Sequence, residues 1–214
     1  MRHRRLGSAW ILALLGLLVS LSALHAEDAG RLIDTAFLEQ PWPKQRLHDY
    51  EVDKYRVRWR QRASKRDGIY AGASFIAPAR QEAVWALTTD FTDLGRMTPS
   101  VERVERIQES PTRQVVMISA KVLWRRLKLR FEIEQEPPRA VRFRLVNSKI
   151  GEYRGVCLLT PEGDRTAFEL ATWLKTRVPV SSGLILWVER MILLDGIREF
   201  LKTCETLPPQ APVT

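Results

Sequence analysis

Six stretches in which apolar and polar residues alternate lie between Val101 and Arg177, and one uninterrupted amphipathic run, Leu184 to Cys204, follows them. Alternation at period two sends successive side chains to opposite faces of a strand, whereas apolar residues recurring every three to four positions mark one side of a helix. Leu127, Leu129, Phe131 and Ile133 oppose Lys128, Arg130, Glu132 and Glu134, while Val141, Phe143 and Leu145 oppose Arg142 and Arg144. Phe168, Leu170, Thr172 and Leu174 oppose Glu169 and Lys175 in the same way, and Cys157 and Leu159 join the apolar side. Each strand therefore has one face to cover and one to leave wet, as in an antiparallel sheet. Pro111, Pro137-Pro138, Ser148 to Gly151 and Pro161 to Asp164 punctuate the strands, so the connections are short and a meander is expected. Ser181 or Ser182 can cap the helix. Its apolar residues, among them Leu184, Trp187, Val188, Met191, Ile192, Ile197, Phe200 and Leu201, need a broad partner, and the covered face of the sheet is the one available.

Upstream, Lys54, Arg56, Arg58, Arg60 and Arg62 alternate with Tyr55, Val57, Trp59 and Ala63, which predicts a strand with one basic face. Lys65 to Gly68 supplies a turn into a second strand, Ile69 to Ile76. Pro78 then opens a helix over Ala79 to Thr88, and Asp90 to Pro99 reads as a short helical turn. The expected fold is α+β, a helix-grip arrangement. A curved antiparallel sheet of about seven strands wraps around the long C-terminal helix, with two short helices after the first strand. Residues 27–50, with Pro41, Trp42 and Pro43, read as an extended lead segment carrying one short helical piece around Arg31 to Leu38. Residues 51–207 form the domain and 208–214 a tail.

The N terminus changes the meaning of the charge. The net charge is +9, with 34 Lys and Arg against 25 Asp and Glu. Arg2, His3, Arg4 and Arg5 form a basic head, Ala9 to Leu24 is almost wholly apolar, and Ala26 offers a small residue for cleavage. That is the layout of a secretory signal peptide over residues 1–26, with an uncleaved anchor as the alternative. Its removal takes away three arginines and lowers the charge from +9 to +6. An exported, periplasmic setting disfavours nucleic acid as the partner of a basic surface and leaves anionic lipid as a candidate for the Lys54 to Arg62 ladder; a solvated strand face is the plainer account.

Phe75-Ile76-Ala77-Pro78-Ala79, Val84-Trp85-x-Leu87-Thr88-x-Asp90, and Leu94 and Pro99 with Val101 resemble the entry segment of the START and Bet v 1-like superfamily, in its polyketide cyclase/dehydrase-like and coenzyme Q-binding-like branch. The resemblance covers about residues 52–205. It implies a lipid, isoprenoid, quinone or sterol held between sheet and helix, in a cavity lined by Phe131, Ile133, Phe143, Leu145, Cys157, Phe168, Leu170, Leu184, Trp187, Val188 and Met191. Phe91, Leu94 and Met97 fall at its rim. Side chains packed at core density are the alternative account of the same pattern. Cys157 stands where many exported relatives have a Trp.

Chemistry has little to work with. The three His, at 3, 25 and 48, all precede the main fold, so no Ser-His-Asp, Cys-His or metal-ligand grouping can be assembled, and neither a catalytic residue nor a metal or cofactor is expected. Tyr153, Arg154 and Lys121 read as exposed strand residues, Glu189 and Arg190 as surface, and Asp195 as solvated or paired with Arg198. Cys157 and Cys204 are expected as free thiols rather than a disulfide. The leading reading is a monomeric, non-enzymatic carrier or sensor that binds or transports a hydrophobic small molecule; a polyketide cyclase/aromatase-like enzyme and a membrane-surface or protein-interaction module are the alternatives.

Overall fold

The computed structural model describes residues 33–91, 101–122, 125–146, 148, 151–177 and 181–207. The signal-peptide region, Leu94 and Met97, and the tail lie outside these residues. A four-residue helix, α1 (Ala36–Glu39), precedes three strands, β1 (Arg46–Val52), β2 (Tyr55–Ser64) and β3 (Gly68–Ala77). Helix α2 (Gln81–Thr89) leads to β4 (Val101–Glu109), β5 (Arg113–Val122), β6 (Arg125–Glu136), β7 (Ala140–Val146), β8 (Gly151–Glu162) and β9 (Arg165–Thr176), and α3 (Ser182–Thr206) ends the fold. All nine strands form one sheet in the order β1-β2-β3-β9-β8-β7-β6-β5-β4, every pairing antiparallel. The helix-grip architecture is as expected, with two corrections. The sheet has nine strands rather than about seven, because β1 occupies what reads as lead segment. Helix α2 follows the third strand, and most of the second short helix expected after it, residues 92–99, lies outside the described residues.

Strand β1 exists because Val52 and Tyr55 are joined by a two-residue turn in which Asp53 takes φ 55°, a left-handed conformation that Asp tolerates better than most residues. The alternation in β2 is realised as expected. Val57 and Trp59 are completely buried, and Arg56 and Arg58 are exposed. Ser181 caps α3, its side chain accepting from the Leu184 N–H. The C-terminal half of the helix is clamped by Phe200, whose ring centroid is 5.2 Å from Phe168 and 6.0 Å from Phe75, two rings that stack at 5.0 Å. The β1–β2 hairpin holds the helix from the side. Arg190 donates to the Tyr50 hydroxyl at 2.9 Å, Lys54 pairs with Glu205 at 2.9 Å, and Arg198 lies 3.6 Å from Asp53.

The convex face is not simply wet. Leu38 and Trp42 of the N-terminal segment are buried against Val156 and Ala171, with Phe37, Tyr70 and Trp173 around them. Arg60 stacks over Trp42 at 4.4 Å and Arg154 over Trp173 at 5.6 Å, so arginine stems and guanidinium planes act here as cover for aromatic rings. The backbone N–H of Ile33 donates to the buried Glu134 carboxylate at 2.7 Å, which ties the start of this strap to β6.

Candidate functional site

Helix α3 sits off-centre, chiefly over β3 with β2 and β1 beside it. The concave face of β4 to β8, here called the trough side of the sheet, continues beyond the helix in the strand order. Val104, Ile118, Phe131, Phe143, Leu145 and Tyr153 are all half-buried there, with Val116, Ile133 and Val141 buried among them. Trp85 from α2 and Phe91 just beyond it pack on the same cluster. Phe131, Phe143 and Tyr153 form an aromatic trio with centroids 6.0 to 6.4 Å apart.

Gly155 makes this arrangement possible. A Cβ at that position would stand 2.1 Å from Cζ of Phe143, whose ring lies over the glycine backbone. Gly155→Ala is expected to push the ring aside and cost about 1–3 kcal/mol, the range for overpacking a well-filled site. Urea denaturation checks the loss, and an unchanged midpoint would mean that Phe143 moves freely.

Glu189 corrects the sequence reading. It points inward rather than to the surface, half-buried at the junction of α3 with the sheet. Thr172 of β9 hydrogen-bonds to its Oε1 at 2.5 Å, and the Tyr153 hydroxyl of β8 is also within hydrogen-bonding reach. Burial pushes the carboxyl up to about 7, and the bonds from Thr172 and Tyr153 only partly oppose this. The Tyr153 phenol, which is not an exposed strand residue either, is held well above its usual range, first by burial and then by the nearby carboxylate.

A proton count ties these groups together. The Thr172 hydroxyl also lies 3.2 Å from the Ala71 carbonyl, and it has one hydrogen to give. With Glu189 protonated, the acid donates to Thr172 and Thr172 donates to Ala71. With Glu189 ionised, Thr172 turns to the carboxylate and the Ala71 carbonyl loses that donor. Among the described residues no lysine or arginine makes an ion pair with Glu189.

The inward line of α3 runs through Leu186, Glu189, Leu193, Ile197, Phe200, Leu201 and Cys204. The lining expected from the helix is accordingly corrected. Leu184, Trp187 and Met191 are exposed, at 37–40%, and Val188 is half-buried on the outer side of the same turns. Both flanks of this helix are apolar, so periodicity alone does not choose between them. Phe131, Ile133, Phe143 and Leu145 belong to the trough, Cys157 packs where trough and core meet, and Phe168 and Leu170 lie beneath the helix in the core. Arg190 turns to the opposite flank. There it borders a lateral groove of about 770 Å³ with Lys44, Arg62, Leu186 and Trp187.

Cys157 and Cys204 are free, and burial pushes both thiols up to about 12, which leaves them unreactive. Asp195 is exposed and pairs with Arg198 at 3.0 Å. Arg154 lies on the convex face, and the side chain of Lys121 falls outside the described residues. In the basic ladder, Lys54 pairs with Glu205, Arg58 with Asp49, Arg60 with Glu169 and Arg62 with Asp67. Among the described residues no group of His, Cys, Asp and Glu could hold a metal ion.

The pairing of an off-centre C-terminal helix with an aromatic-lined concave sheet is matched by what the chain is similar to. Residues 72–204 match the family model described as polyketide cyclase/dehydrase and lipid transport. The chain belongs to this family. Solved structures of low sequence identity share the fold. The STAR-related lipid transfer protein from Xanthomonas axonopodis superposes with a TM-score of 0.60 at 11% identity, over 75% of this chain and 99% of that one. Human STARD10 gives 0.66 at 8% identity, over 83% and 82%. The Zhui aromatase/cyclase from Streptomyces sp. R1128 gives 0.57 at 18% identity, over 64% and 93%. No curated protein matches the chain.

Proposed function

We propose that this member of the polyketide cyclase/dehydrase and lipid transport family binds a hydrophobic small molecule in the trough between α3 and strands β4 to β8, and carries it unchanged. One observation supports this reading above the others. The apolar wall formed by Phe131, Phe143 and Tyr153 is half-buried and is not filled by the helix. Apolar ligand surface moved onto such a wall gains about 25 cal/mol per Å², so one acyl or isoprenoid chain is enough for micromolar binding. The name of the Xanthomonas relative, a lipid transfer protein, fits the same use. The basic head and apolar run at the N terminus support an exported setting.

The test is native mass spectrometry of protein purified from its own host, with organic extraction of what it holds. A co-purifying lipid or isoprenoid, lost on Ile118→Trp substitution, is the expected result. Empty protein that also fails to take up a lipophilic fluorophore would overturn the reading.

A second reading, a cyclase-like enzyme, rests on the Glu189 carboxyl, since an acid held at about 7 is matched to proton transfer near neutral pH. It expects a linear poly-β-ketone to be cyclised by the wild-type protein and left unchanged by Glu189→Gln. Recovery of intact polyketide from the wild type counts against it.

A further inference from the structure

We infer that Glu189, Tyr153 and Thr172 form the polar end of the ligand site and select a hydrophobe whose head group donates a hydrogen bond, a hydroxyl or an ammonium, over one that ends in a carboxylate or phosphate. The inference rests on the trough being the binding site. Its geometric basis is continuity. Tyr153 is one of the three rings of the trough wall, and its hydroxyl reaches the Glu189 carboxyl, which Thr172 holds from β9. A ligand lying along Phe131 and Phe143 therefore meets these three oxygens at the helix side of the trough.

The groups facing the carboxyl decide the preference. From β8 it is Tyr153, which has Cys157 beside it, and from β9 Thr172; the Ala71 carbonyl of β3 lies behind Thr172. On α3 itself, Arg190 is turned to Tyr50 on the other flank. The cluster thus offers a carboxyl acceptor and two hydroxyls with no cation opposite them among the described residues. An ionised carboxyl has room for about four hydrogen bonds, and Thr172 and Tyr153 supply two. What the cluster leaves open on the carboxyl is room for a further donor. A ligand hydroxyl supplies the donor, and an ammonium supplies donor and counter-charge together. A carboxylate or phosphate would place like charge against Glu189 in a poorly solvated site, a repulsion that disfavours binding.

Dodecanol, dodecylamine and dodecanoate share one apolar body and differ at the head. Their binding to the full chain at neutral pH can be compared by displacement of a lipophilic fluorophore. The alcohol and the amine are expected to bind at least about tenfold more tightly than dodecanoate, the scale of one hydrogen bond to a charged group. Glu189→Leu is expected to abolish the preference. Glu189→Gln should keep the alcohol and lose the advantage of the amine, which separates the two head groups. Tyr153→Phe, which preserves the ring, should weaken the alcohol severalfold and provides a readout if the Glu189 variants fail to fold. Dodecanoate binding as tightly as the alcohol, or an unchanged order in Glu189→Leu and Tyr153→Phe, would overturn the anchor while leaving the trough as a binding site. Binding of none of the three would overturn the trough reading and the anchor with it.

Discussion

Phe200→Ala is expected to destabilise the protein by about 3–5 kcal/mol, the usual cost of truncating a buried phenylalanine. The residue is 8% exposed and packs simultaneously on Phe75 and Phe168, so the space left behind is bounded by two rings already stacked on each other, which have little freedom to collapse into it. The effect extends beyond the local cavity. Phe200 clamps the C-terminal half of α3 to the core, and its loss leaves that half held by Leu201, Cys204 and the ion pairs of Arg198 and Glu205 with the β1–β2 hairpin. Chemical denaturation measures the stability loss, and hydrogen exchange along α3 should show the C-terminal half opening first. A loss below about 1 kcal/mol would mean that the core repacks around the gap.

The second large effect is on the pH dependence of stability. Glu189 has an ordinary value of 4.5 and is raised to about 7 in the fold. Between those two values the folded state binds more protons than the unfolded state, so stability is full below the lower value and is lost as pH rises through the upper one. The shift corresponds to about 3 kcal/mol. Glu189→Gln removes the titration. The stability of the wild type relative to this variant is therefore expected to fall by about that amount from pH 4 to pH 8, measured by urea denaturation at each pH. A difference that stays constant across the range would show that water reaches the carboxyl and relieves its burial.

Period-two alternation in β2, β6, β7 and β9 was legible in the sequence because one face of each strand meets the core and the other carries charges. Strand β1 was not. Arg46 to Val52 lies at the sheet edge with Leu47 55% exposed, so its outward positions are not uniformly polar, and the signal that names a strand comes from Val52 and Tyr50 alone. The strap was hidden for a related reason. Arg60 and Arg154 look like solvated strand positions until Trp42 and Trp173 are found beneath them, and no periodicity in one segment reports a partner more than ten residues away. Glu189 was missed because a charged residue on an amphipathic helix is assigned to the wet side by default. Its inward position is set by the register of Leu186, Ile197 and Phe200 against the sheet, and the exposed apolar flank at Trp187 and Met191 made the opposite assignment look better.

The strap and the β1–β2 hairpin make the cooperative unit longer than the family-matched region. Residues 72–204 exclude Trp59 and Val57, both fully buried, as well as Tyr50, Asp53 and Lys54, which hold the helix, and Leu38 and Trp42, which back the sheet. A fragment cut to the matched boundaries would truncate β3, leave its edge toward β2 unpaired and release α3 from one flank, baring edge and aromatics that the intact chain covers there. Its failure to fold or to bind would describe the cut rather than the protein, so the shortest piece on which a ligand measurement has meaning begins no later than Ile33.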